Sequence, residues 1–158
     1  MVLVLSGCDI YGKVGGDDGN IPGGLPFQLQ GKWRSSPGDN YVITDTEITY
    51  DGGVGISGGT NYTGTIRFVS NYSPDSGLII IEYTVKPAYS GYNGKDFFAI
   101  YYKDLTANTM QMANATILGP NTCPDTATLE EAVEKFTRMQ MGNYVDWSFV
   151  QPFTRQQN

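Results

Sequence analysis

Histidine is absent from all 158 residues. With it go the commonest general base, the usual partner of a catalytic nucleophile and a favoured zinc ligand. Cations are scarce as well: 10 Lys and Arg stand against 16 Asp and Glu, a net charge of −6. Nucleic acid is thereby excluded as a partner, because holding phosphates takes clustered Lys and Arg. Past the first residues no apolar run is long enough to cross a bilayer. Cysteine is limited to Cys8 and Cys123, and Cys123 has no base beside it in any motif. Asp17 and Asp18 lack the alternating acids and distal Glu of a calcium loop. The acids Glu47, Asp96, Asp104 and Asp146 form no pair by spacing. No catalytic residue, metal or cofactor is therefore expected.

What is plentiful is glycine (20), tyrosine (11) and phenylalanine (7). Short aromatic runs punctuated by Gly are the composition of an all-β chain, and the length suits one domain with a real core. From Gly31 the runs follow one another: 31–35, 41–44, 47–50, 62–70, 78–85, 97–103 and 108–117. In the fourth, Tyr62, Gly64, Ile66 and Phe68 alternate with Thr63, Thr65 and Arg67, a half-buried strand. In the fifth, Ile79, Ile81, Tyr83 and Val85 share one face, with Glu82 beside Thr84 on the other. Phe97 to Lys103 is apolar on both faces and reads as central. Gly53-Val54-Gly55-Ile56-Ser57-Gly58 spells G-x-G-x-x-G. Strand chemistry follows it instead of the helix a nucleotide site needs, so a loop at a barrel mouth is the better reading.

One helix is expected late. Thr128 and Glu131 form a capping box. Leu129, Ala132, Val133, Phe136 and Met139 fall on one face, Glu131/Lys135 and Glu134/Arg138 are i,i+4 pairs, and Gly142 is the stop. A last strand over 143–149, with Val145, Trp147 and Phe149 on one face, then precedes Arg155. The fold class is thus all-β: an antiparallel up-and-down barrel of about eight strands with one late α-helix before the last strand.

Leu5-Ser6-Gly7-Cys8, at the end of an apolar segment, resembles the lipobox of bacterial lipoproteins, whose cysteine becomes lipidated. The resemblance implies that 1–7 is a signal-peptide remnant and that Cys8 is the lipid-bearing residue. It places the chain in the bacterial cell envelope, attached to the membrane through an N-terminal lipid. The Gly- and Asp-rich stretch after Cys8, through residue 27, has no apolar period and reads as a flexible tether. The barrel domain then takes 28–158. Gly31-Lys32-Trp33 at the start of the first strand, with Arg155 near the end of the chain, is similar to the lipocalin-type (calycin) small barrels. In that family the Trp plugs the closed end and an Arg of the last strand stacks on it. Gly31, Trp33 and Arg155 are the structural residues this implies, and a small apolar or amphipathic molecule is the implied ligand.

Bulky candidates for a ligand-binding interior are Tyr62, Phe68, Ile81, Tyr83, Phe97 and Tyr101, with Met110 and Met112 as adaptable neighbours. Gaps beside Gly64 and Ala99 favour a pocket, opening at the 52–59 end. The alternative is a surface or periplasmic interaction module with a filled β core, an adhesin or a carbohydrate or protein binder. Its contact rings would be Tyr72, Tyr89 and Tyr92 on loops. The sequence fixes no oligomeric state.

Lipidation is checked by feeding labelled palmitate to cells expressing the chain behind a full signal sequence. Label should enter the protein and be lost in Cys8→Ala; label that survives this change removes the anchor.

Overall fold

In the computed structural model the described residues are 24–36, 38–52, 61–88, 95–116 and 124–157. Cys8 and most of the tether, the 53–58 glycine motif, Tyr89, Tyr92 and Cys123 lie outside them. Eight strands form a closed barrel in chain order: β1 Gly31–Ser35, β2 Asn40–Ile43, β3 Glu47–Asp51, β4 Tyr62–Ser73, β5 Ser76–Val85, β6 Phe97–Lys103, β7 Thr109–Asn114 and β8 Pro152–Arg155. Every neighbouring pair is antiparallel, and β8 returns to β1 through Trp33↔Arg155 and Ser35↔Phe153. Helix α1, Leu129–Lys135, lies between β7 and β8 in sequence and packs against β5 and β6. Its Thr128 hydroxyl accepts from the Glu131 N–H at 3.2 Å while the Glu131 carboxylate accepts from the Thr128 N–H, the reciprocal cap the sequence spells.

Directly paired residues of an antiparallel ladder share a face, so the register sorts inside from outside. Trp33↔Tyr41, Tyr41↔Tyr50, Tyr50↔Tyr62 and Gly64↔Tyr83 carry the interior face around β1 to β5. Ile81↔Phe98, Tyr102↔Met112 and Met110↔Phe153 complete it. The opposite face of β5 and β6 is also buried, at Leu78, Ile80, Ala99 and Tyr101. There α1 contributes Ala132, Val133 and Phe136 to the same apolar cluster. Each such buried aliphatic side chain stabilises the fold by roughly 1.5–3 kcal/mol. Both faces of β6 are apolar because one meets the barrel interior and the other meets α1.

Three expectations are corrected. Helix α1 ends at Phe136, well before Gly142. The Phe136 ring is fully buried and meets Tyr144 edge-on at 5.1 Å, so the chain folds back onto the barrel there and Met139 is left exposed. Residues 143–149 are not a strand: Met141–Asn143 and Trp147–Phe149 are single 3-10 turns. The Asp146 carboxylate takes both the N–H and the hydroxyl of Ser148, at 3.0 and 2.6 Å, and this local cap wins over the alternation of Val145, Trp147 and Phe149. The last strand is Pro152–Arg155 and contains Arg155. Proline is admitted at its first residue, where a ladder N–H is dispensable. Third, Tyr72 is no loop ring. It lies in β4, half-buried, with the Arg138 guanidinium 5.7 Å from its ring.

A 3-10 turn, Phe27–Leu29, closes one end of the barrel. The Trp33 indole N–H donates to the Leu29 carbonyl at 2.8 Å, and the Arg155 guanidinium lies 4.2 Å from the Trp33 ring centre. The same guanidinium donates to the carbonyls of Gln28, Gln30 (2.5 Å) and Ala107 (2.6 Å). Gly31 has φ +137°, and a Cβ there would overlap Arg155 Nη1, so only glycine admits the guanidinium. Arg155→Ala removes a cation–π contact and three charge-assisted bonds and should cost about 2–4 kcal/mol. Trp33→Ala, which also leaves a cavity, should cost about 3–5 kcal/mol. Urea melts of the two variants read both values, and an Arg155→Ala midpoint equal to the parent's would remove the clamp from the account of closure.

Candidate binding site at the barrel mouth

At the end opposite the Phe27–Leu29 turn, inward tyrosines meet across strands. Tyr41 and Tyr50 have ring centres 4.8 Å apart, Tyr50 and Tyr62 5.3 Å, Tyr62 and Tyr83 5.6 Å, and Tyr83 and Phe98 5.7 Å. Phe153 closes on Tyr41 from the other side at 5.1 Å. The row exists because these side chains occupy matching inward positions of successive strands, within the spacing at which aromatic pairs attract. Their hydroxyls need an acceptor once buried. Asn114 at the end of β7 supplies it: Tyr41 and Tyr62 both donate to its Oδ1, at 2.8 and 2.6 Å. These bonds reach from β2 and β4 across the interior to β7, so at this level the barrel is filled.

Above this layer the β7–β8 ladder runs out at Gln111↔Pro152 while β7 continues to Asn114. The gap is a cleft of about 350 Å³, lined by Asp39, Tyr41, Tyr50, Met112, Ala113, Asn114, Phe149, Val150, Gln151 and Phe153. That volume lies near the lower bound of small-molecule sites, roughly 300 Å³. Asn114 spends its carbonyl on the two phenols, and no described residue takes up its amide nitrogen. Phe149 stands at the rim, 81% exposed.

Among the described residues, Asp39 is the one charged group in the lining. Burial pushes its carboxyl up from the usual range, a nearby hydrogen bond from Ser35 pulls it back, and the like charge of Asp51 adds to the rise. Tyr50 beside it is pushed up to about 12, first by burial and then by the Asp39 charge. Burial raises Tyr41 and Tyr62 well above the ordinary phenol value of 10.0, and Tyr102 to about 12.

Of the residues expected to line an interior pocket, Met112 lines the cleft. Tyr62, Ile81, Tyr83 and Met110 face inward and fill the core. Phe68, Phe97 and Tyr101 point outward. A bulge between Ile66 and Phe68 lets Val69 take the interior position instead of Phe68. The register Ile81↔Phe98 puts Phe97 and Tyr101 on the face opposite the interior. The gap beside Gly64 is closed by Ile81, whose Cδ1 lies 2.6 Å from where a Cβ would stand. Asp39, Asn114 and Phe149 were not singled out as site residues by the sequence, since Asp39 reads as a turn acid and the other two as residues within strands. Tyr41 and Tyr50 could have been found from their alternation with Val42 and Thr49.

Among the described residues no three His, Cys, Asp or Glu side chains converge on a metal-sized site. No described helix is long and apolar enough to cross a membrane. No family model matches the chain, and neither curated proteins nor solved structures yield a match.

A phenol whose folded pKa exceeds its unfolded value contributes stability that is complete below the unfolded pKa and is lost as pH rises through the folded one. With Tyr50 and Tyr102 moved from 10.0 to about 12, stability should hold to about pH 10 and fall between there and pH 12. Tyrosinate absorbance should therefore rise in two stages, the second coinciding with loss of β-sheet circular dichroism. A single reversible rise of all tyrosines around the ordinary value would contradict the buried row.

Proposed function

We propose that this chain is a lipid-anchored, non-catalytic protein of the bacterial cell envelope whose lipocalin-like barrel binds a small apolar or amphipathic molecule. The observation that carries the binding reading is the mouth cleft. It is concave, mostly apolar, walled by aromatic rings, and holds a few polar groups at its base, the makeup of a small-molecule site. The closed barrel with its Trp33–Arg155 clamp is compatible with the lipocalin resemblance. Support for the anchor is the Leu5-Ser6-Gly7-Cys8 segment. Because the tyrosine layer is filled, the binding place in this reading is the mouth of the barrel and not its depth. A ligand there would lay its apolar part on Phe149, Val150 and Phe153 and turn a polar end toward the Asn114 amide.

The test uses the full chain carrying Cys8→Ser, purified without detergent. A fatty-acid-like fluorescent dye should bind with one-to-one stoichiometry, and native mass spectrometry should detect a bound small molecule or its displacement. Gln151→Trp, at an exposed position of the lining, should fill the cleft and weaken dye binding at least tenfold with the urea midpoint little changed. Dye binding untouched by Gln151→Trp removes the cleft as the site. No uptake of any kind favours a filled-core interaction module.

A further inference from the structure

The aromatic rings and the carboxylate of the mouth cleft make a more specific arrangement than apolarity alone. Tyr41 and Phe153 meet at 60° and Tyr41 and Tyr50 at 41°, so the rings lie at angles to one another and do not form a flat stack. Phe149 adds an exposed ring at the rim. Asp39 stands beside Tyr50, and the described residues of the lining include no Lys or Arg. The Ser35 hydroxyl and the Tyr50 phenol lie against the carboxyl, yet one oxygen, Oδ1, is shut off from solvent with no hydrogen-bond partner within bonding geometry among the described residues. A negative charge held in a partly dry place with incomplete compensation favours a cation nearby. Ring faces carry negative quadrupole charge and attract cations for the same reason.

We propose that the mouth cleft selects a small organic ammonium ion, seated in the cleft against its wall of Tyr41, Tyr50, Phe149 and Phe153, with Asp39 as its counter-charge. The proposal rests on the cleft being the ligand site and names the class of ligand it takes. An alkyl- or aryl-ammonium group suits the lining better than a metal ion. Rings and one carboxylate offer too few oxygen ligands for calcium or magnesium, whereas an ammonium with apolar substituents needs only a surrounding negative potential. An anion is disfavoured by Asp39 and by the absence of a basic residue among the described residues of the lining. A neutral molecule would leave the Asp39 charge uncompensated while covering it from water. The free Asn114 amide suits a hydroxyl or carbonyl oxygen further along the same ligand.

The experiment is isothermal calorimetry on the full chain carrying Cys8→Ser, with two matched pairs. Choline is set against its neutral carbon isostere 3,3-dimethylbutan-1-ol, and phenethylamine against 2-phenylethanol. At least one cation should bind tenfold or more tightly than its neutral counterpart. Asp39→Asn, nearly isosteric, should erase that preference without lowering the thermal midpoint. Should Asp39→Asn fail to fold, Phe149→Ala changes an exposed rim ring and should weaken the cation several-fold. Equal binding within both pairs, no binding of either cation, or a preference that survives both variants overturns the proposal. Those results with dye binding intact leave the cleft reading standing, whereas loss of dye binding as well brings down both.

Discussion

The barrel depends on one guanidinium. Arg155 covers the Trp33 ring and donates to carbonyls of the Phe27–Leu29 turn and of the β6–β7 hairpin. It thereby joins the last strand, the first strand, the end cap and a distant hairpin. A planar fork with five donors can serve three carbonyls and still present its face to an indole, which an ammonium cannot do. The seam it fastens is short, running from Trp33↔Arg155 to Ser35↔Phe153, so ladder bonds alone would hold it weakly. The space for the fork comes from Gly31, where a Cβ would overlap it. Glycine, tryptophan and arginine are thus three parts of one device, and their separation in the chain is bridged only when the barrel closes.

The opposite end solves a different problem. Filling a small barrel with tyrosines contributes large apolar areas but brings hydroxyls into a dry interior, each of which destabilises the fold unless bonded. Asn114 answers for two of them with a single oxygen. Tyr102 finds Asn71 at the other end of the barrel, at 2.6 Å. Asparagine suits both places because its acceptor is neutral, so no charge has to be buried with it.

How much of this could be read from the chain follows from where each signal is written. Strand order and the late helix with its cap rest on local patterns, and the eight-strand closed barrel agrees with them. The pairing of Arg155 with Gly31 and Trp33 was implied by the lipocalin resemblance, and the contact is present. Signals that depend on register were lost. Alternation through Phe68 failed at a bulge, which no spacing in the sequence announces. For Phe97 and Tyr101 the parity was undecidable, because β6 is buried on both faces. The 143–149 segment has strand-like alternation but also Asp146-x-Ser148, and the short-range cap prevailed. Asn114 matters only through partners 73 and 52 residues away, a relation that no window along the chain contains.

The cleft itself follows from a mismatch in strand length. Strand β7 has six residues and β8 has four, so the last turn of β7 has no partner on that side. The chain arriving there comes from the Trp147–Phe149 turn and not from an extended strand, which carries Phe149 and Val150 outward and leaves room beneath them. Had 143–149 continued as a strand, it would have paired with the end of β7 and closed the barrel to its rim. The Asp146–Ser148 cap that ends that possibility is exposed and far too weak to fold anything by itself. Its effect is on shape: by keeping the final approach to β8 turned, it holds an opening beside the tyrosine row and the Asp39 carboxylate.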